Sequence, residues 1–140
     1  MSWNTQIQCP NCGKAKLEFR LVQDVFEYES DQGPTRIEVD DVPARVCDAC
    51  GEVFFGPEAI LLRHNAVCRK LRLLTPEEIK TIREQLGLSQ SQLADLTGIG
   101  VASISRWERG RLLQNRAYDN LLRLIQANRS NAEFLSRLGA

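Results

Sequence analysis

The chain has 140 residues, enough for one ordinary domain or two small ones, with 43% hydrophobic and 26% charged side chains. Those fractions exclude a disordered tail, and no apolar run approaches the ~18–20 residues that cross a bilayer, so no membrane partner is expected. Its 18 basic and 18 acidic side chains cancel, but residues 1–70 carry a balance of −3 and residues 71–140 one of +3. Only the second half suits a polyanionic partner. The stretch from Met1 to Gln8 has neither the basic start nor the apolar centre of a secretory leader, so a cytoplasmic protein is expected.

Four of the 5 cysteines form two matched knuckles, Cys9-Pro-Asn-Cys12-Gly and Cys47-Asp-Ala-Cys50-Gly. A cytosolic chain rarely keeps structural disulfides, so paired Cys-x-x-Cys turns read as a metal site. The two-residue spacer with Gly behind it makes a tight turn that points both sulfurs inward. Two knuckles then supply four thiolates, the tetrahedral set that Zn2+ or Fe favours. The 34 residues between Cys12 and Cys47 exceed the usual zinc-ribbon gap, so something folded must fill it.

That gap reads as antiparallel β structure. Residues 16–22 alternate apolar with polar, residues 25–30 do so less cleanly, Asp31-Gln-Gly-Pro34 is a turn, residues 35–40 alternate again, and residues 44–46 lead into the second knuckle. So small a sheet has little core of its own, and the metal supplies most of its folding energy. A redox dithiol is the competing reading, but two matched knuckles call for a shared ion. The knuckles also resemble rubredoxin-like iron sites. Such sites are aromatic-rich, whereas this chain is 6% aromatic, which favours one structural Zn2+ per chain, with no catalytic water position.

Gly56-Pro57 opens an amphipathic helix expected to run to about Leu73, with Pro57 in its first turn. It places His64 and Cys68 at i, i+4. Two ligands are too few for a tight site, so a half-exposed His beside a buried Cys is expected.

The remaining chain is dense with helix boundaries. Thr75-Pro-Glu-Glu78, Ser89-Gln-Ser-Gln92 and Ser130-Asn-Ala-Glu133 each read as a capping box. Gly87, Gly98 and Gly110 mark helix ends, and a fourth helix is expected over about 116–127. The whole is an α+β protein of two domains. Residues 1–72 form a small antiparallel β zinc-binding domain with a trailing helix, and residues 73–140 an all-α domain of five helices.

Two helices of ~8 residues joined by the three-residue turn Gly98-Ile-Gly100 carry the helix-turn-helix signature. Leu93, Ala94, Ile99, Ile104 and Trp107 are expected along the inner seam. Val101, Ala102, Ser105 and Arg106 then lie outward at the start of the second helix, small enough to enter a major groove of double-stranded DNA. Arg106 can grip guanine O6/N7, and Val101 and Ala102 can meet thymine methyls. Gln90 at a helix N-terminus, with Arg109, Arg111, Asn115 and Arg116, are candidates for phosphate. Glu108 is expected to pair with Arg111 or with a helix end. No nucleophile–base constellation is evident, so an enzyme is not expected.

The stretch Leu88-Ser-Gln-Ser-Gln-Leu-Ala-Asp-Leu-Thr-Gly-Ile-Gly-Val-Ala-Ser-Ile-Ser-Arg-Trp-Glu-Arg-Gly110 resembles the Xre/Cro-repressor helix-turn-helix family. Joined to a two-knuckle N-terminal domain, nearly the whole chain resembles the MqsA family of type II antitoxins, the YgiT-type zinc-finger proteins. The resemblance implies a structural zinc on Cys9, Cys12, Cys47 and Cys50. It implies a homodimer formed through the helical domain on a palindromic operator, repressing its own operon. It implies that the zinc domain sequesters a cognate toxin, in the best-known case an mRNA-cleaving RNase. In that best-known member an Asn and an Arg read bases. Arg106 matches the Arg, and Ala102 stands at the Asn position, so the operator should differ. The alternatives are a stand-alone Xre-family regulator whose four cysteines are structural or sense metal or oxidant, with Cys68, and an iron electron carrier.

Overall fold

In the computed structural model the described residues are 6–139; most of the Met1–Gln8 stretch judged against a leader lies outside them. Contacts divide the chain into two units, residues 1–67 and residues 68–140. No helix among the described residues is long and apolar enough to cross a membrane.

In the first unit, strand β1 (Glu18–Ser30) pairs antiparallel with β2 (Gly33–Val46), and β3 (Val53–Phe55) pairs with the end of β2, giving the order β1-β2-β3. The four strand segments expected from alternation are thus two long strands. Pairing runs from Glu18↔Val46 to Val22↔Val42, slips, and resumes at Asp24↔Val39. The slip puts one extra residue on β2 at Asp40–Asp41, a β-bulge with Asp41 in the left-handed region at φ 55. The bulge breaks the alternation of β2, while β1 keeps its period but turns the polar Asp24 inward to Arg63 and leaves Leu21 and Val25 outward, so each strand reads as two pieces. The hairpin loop is Asp31-Gln32 alone, since Ser30 faces Gly33 and Pro34 pairs within β2. Strand β3 was not anticipated; three residues are too few to show a period.

Helix α1 (Pro57–Lys70) ends three residues before the expected Leu73. Arg72 turns left-handed at φ 57, and the Leu73 N–H returns to the Cys68 carbonyl at 2.8 Å, closing the helix end. Within the first unit Arg63 of α1 pairs with the buried Asp24 of β1, Nη2 lying 2.8 Å from Oδ1, and its guanidinium stands over the Phe26 and Phe55 rings. His64 is half-buried and Cys68 fully buried, as the spacing suggested.

Among the described residues, the second unit holds five helices after the end of α1: α2 (Pro76–Gln85), α3 (Gln90–Thr97), α4 (Val101–Glu108), α5 (Arg116–Ala127) and α6 (Arg129–Leu138). Two of the three capping boxes form. Thr75 and Ser89 accept from the N–H groups of Glu78 and Gln92, whose side chains reach back to the cap N–H. The third does not. Asn128 caps α6 instead, its Oδ1 accepting from Ser130 N–H at 3.0 Å, because α5 ends on the same residue and leaves no loop for Ser130 to begin. Leu74, Ile79, Ile82, Leu93, Ile99, Ile104, Trp107 and Leu122 form one buried cluster, with Leu86, Leu88, Ala94 and Leu121 against it.

Candidate metal centre and helix-turn-helix face

The two knuckles have the same local architecture. In the first, Gly13 (φ 67) sends its N–H to the Cys9 carbonyl at 2.9 Å; in the second, Gly51 (φ 77) sends its own to the Cys47 carbonyl at 2.8 Å. A positive φ after the second cysteine closes each turn, which Gly adopts without a steric cost. The first knuckle is steadied by an isolated bridge, Gln8↔Lys16, and the second by the end of β2 with β3.

All four sulfurs lie within 4.8 Å of one another. Cys9 and Cys50 stand 3.8 Å apart and Cys12 and Cys47 3.6 Å, far beyond a disulfide bond. A tetrahedral ion with metal–sulfur bonds of about 2.3 Å spaces its sulfurs about 3.8 Å apart. The donor set therefore fits one tetrahedral ion, and these cysteines can hold it. Cys9 and Cys47 are buried, Cys12 is partly covered, and Cys50 is exposed. The backbone N–H groups of Cys12 and Asn11 hold the Cys9 thiol down to about 7. The Glu52 N–H and the Asn11 side chain lower Cys50. Cys47 receives the Cys50 and Ala49 N–H groups, yet burial and the thiols of Cys12 and Cys50 push it up to about 11. A bound cation removes that conflict by making all four thiolates favourable.

In the second unit, Gly98 ends α3 in the left-handed region at φ 77, and Gly100 precedes α4. Leu93, Ile99, Ile104 and Trp107 are buried and Ala94 packs beside them, the seam expected from the sequence. The opposite side of α4 is open. Val101 is 45% exposed, Ala102 and Arg106 are exposed, and Ser105 is half-buried. Gln90 sits half-buried at the first position of α3, behind its cap Ser89. Arg109 and Arg111 are exposed, Arg109 Nε resting 3.3 Å from the Ser105 carbonyl.

Two predicted contact residues carry internal duties. Asn115 caps α5, its Oδ1 accepting from Tyr118 N–H at 2.8 Å. Arg116 gives its guanidinium to the carbonyls of Leu71 and Arg72, the latter at 2.8 Å. The expected partner of Glu108 is also replaced. Its carboxylate pairs with Arg83 of α2, Nη2 to Oε1 at 2.8 Å, with side-chain exposures of 14% and 4%. Arg83 Nη1 in addition donates to the Leu88 carbonyl at 2.9 Å. One ion pair thus ties α2, the α2–α3 loop and the end of α4 together, which sets how α4 is presented.

Sequence reasoning missed the role of Asp119. Fully buried, it accepts from Leu74 N–H at 2.7 Å, Gln114 Nε2 at 3.0 Å and Arg123 Nε at 2.8 Å. Burial alone would raise its pKa, but the Arg123, Leu74 and Gln114 hydrogen bonds outweigh burial and lower it. The i, i+3 spacing from Arg116 and the i, i+4 spacing to Arg123 were the signals in the sequence, and such pairs are usually solvated.

Fold and sites define a class: a small β unit organised round four thiols, followed by a helical unit with a helix-turn-helix. The chain matches the model of MqsA, the antitoxin component of bacterial toxin-antitoxin systems, over residues 7–136, and it belongs to that family. It is also similar to Antitoxin HigA-2 of Vibrio cholerae serotype O1 (strain ATCC 39315 / El Tor Inaba N16961), 31% identical over 65 residues. That match covers 46% of this chain and 62% of the relative, less than two thirds of its length.

Proposed function

We propose that this antitoxin represses its own operon by laying α4 in the major groove of a palindromic operator as a cytoplasmic homodimer, and neutralises an mRNA-cleaving toxin through its four-cysteine unit. It acts by binding, without catalysis. The observation that carries the DNA reading is the outward face of α4. Its first turn presents Val101 and Ala102, too small to hold DNA away, and Arg106 stands one turn later with no ion pair or hydrogen bond from its guanidinium among the described residues. An Arg so placed reads guanine bidentately, and methyl-bearing neighbours favour thymine. Ser105 adds a short hydroxyl at the same edge. Gln90, Arg109 and Arg111 flank this face as phosphate contacts, while Asn115 and Arg116, held internally, add less. The four cysteines hold one structural Zn2+, since an all-thiolate tetrahedral set with no open position suits structure rather than catalysis.

The test is binding to the chain's own promoter region by the wild type and by Arg106→Ala, at two salt concentrations. We expect the variant to lose ~1–3 kcal/mol of specific binding and to keep its salt-dependent non-specific binding. Equal, weak and salt-sensitive binding by both proteins would remove α4 as a base reader.

A further inference from the structure

The four clustered thiols are not equally placed. Cys9 and Cys47 are buried and Cys12 is partly covered, whereas Cys50 opens to solvent at the end of the second knuckle. Asn11 of the facing knuckle aims its Nδ2 at the Cys50 sulfur, 3.6 Å away, so that sulfur is both solvated and held in place. A second thiol stands within reach of it. The Cys9 sulfur, on the other knuckle and buried, lies 3.8 Å away. Cys12 and Cys47 make a similar pair across the knuckles at 3.6 Å. Exposure and thiolate character decide which cysteine an oxidant takes first, and a neighbouring thiol decides whether the product can be reversed. Cys68, fully buried, has no such access.

We propose that Cys50 is a modification site for hydroperoxides, with Cys9 as the thiol that resolves it, so that an oxidant releases the metal from the β unit and leaves the helical unit folded. The proposal rests on the four-thiolate metal reading above. In the first step the Cys50 thiolate attacks the outer oxygen of the peroxide. An S–O bond forms, the O–O bond breaks, and the alcohol (water, for hydrogen peroxide) leaves with a proton from solvent. In the second step the Cys9 thiolate attacks the sulfenic sulfur. An S–S bond forms, the S–O bond breaks, and hydroxide leaves. Two thiolates have given up two electrons, and the peroxide has taken them. Two of the four donors are then tied to each other, and the remaining two are too few to hold an ion tightly. A dithiol reductant reopens the disulfide and restores the donor set.

The experiment loads the full chain with Zn2+, adds hydrogen peroxide, follows metal release with a coloured chelator, and maps disulfides by peptide mass. The wild type should release its Zn2+, carry a disulfide between Cys9 and Cys50, keep its helical melting transition, and take up metal again after dithiothreitol. Cys50→His leaves three thiolates and one imidazole, a set that still holds Zn2+. It should release the ion at least about tenfold more slowly than the wild type, while Cys12→His should stay within about twofold of it. If both variants are slowed equally, or neither is slowed, Cys50 is not the point of attack, and the proposal is overturned while the metal reading stands. The same follows if the disulfide closes within one knuckle, or if dithiothreitol does not restore metal binding. Should a variant fail to load, dimedone present during the peroxide pulse decides. It should tag Cys50 of the wild type before any other cysteine, and a first tag elsewhere overturns the proposal. If the wild type binds no Zn2+, the metal reading and the proposal fall together.

Discussion

The two units of this chain are held together by different means. Among the described residues, the helical unit buries eight large side chains in one cluster contributed by the 74–82 segment, α3, the turn after it, α4 and α5. The β unit buries Ile37, Val42, Ala44, Ala59 and Val67, and alongside them two of its own candidate metal ligands, Cys9 and Cys47. Its inner face is small, and its outer face is left to solvent. A helical unit can hold its shape by burial at roughly 25 cal/mol per Å² of apolar surface. A three-stranded sheet of this size needs a staple. On the proposed metal site the four clustered thiols supply it, which would tie ligand chemistry to fold in one unit and leave the other independent.

Removing the metal is the sharpest way to break that comparison. Chelation, or Cys47→Ser, should cost the β unit on the order of 10 kcal/mol and abolish its cooperative fold. The melting transition of the helical unit should stay in place, as read by calorimetry with the circular dichroism of its helices. Thiol titration checks the same contrast. Four thiols should react once the metal is withdrawn, while Cys68, pushed up to about 11 by burial, stays silent until the helical unit unfolds. Loss of both transitions together on chelation would sink the contrast.

The largest single-residue effect expected in the helical unit lies at Asp119. Asp119→Ala removes the acceptor for Leu74 N–H, Gln114 and Arg123 and should destabilise by ~3–5 kcal/mol in denaturant melts, with metal content unchanged. Its pH dependence follows from its lowered pKa. The stabilisation is present above the unfolded carboxyl value and is lost as pH falls through the still lower folded value. The acid limb of the helical unit's stability should therefore flatten in Asp119→Asn. A smaller change sharpens the same picture at a helix end. Thr75→Ala removes the α2 cap and should cost ~1 kcal/mol, and Ser89→Ala at α3 a similar amount, both read from thermal melts.

Reading the sequence worked best where a short local pattern forces the geometry. The knuckles close as expected, because Gly after the second cysteine reaches a positive φ and the spacer turns both sulfurs inward. The Thr75 and Ser89 boxes form because cap and partner lie three residues apart in one turn. Ile104 and Trp107 point inward because helical periodicity puts them on the face of Leu93 and Ile99. The same logic failed at Ser130, where an equally good box lost to Asn128, since the length of the connection from α5 decides which residue stands at the start of α6.

What the sequence determined by itself was therefore local: the two cysteine knuckles, two of the helix caps, and the turn between α3 and α4 with its inner and outer faces. Tertiary structure decided the rest. Glu108 met Arg83, 25 residues away, rather than Arg111. Arg116 was drawn to the carbonyls of Leu71 and Arg72, and Asp119 became the buried hub that fixes Leu74. Continuous pairing across the bulge at Asp40–Asp41 joined four strand signals into two strands. Which charge pairs are buried, and where a strand slips, depend on what the rest of the chain packs against them, and neither capping nor periodicity carries that information.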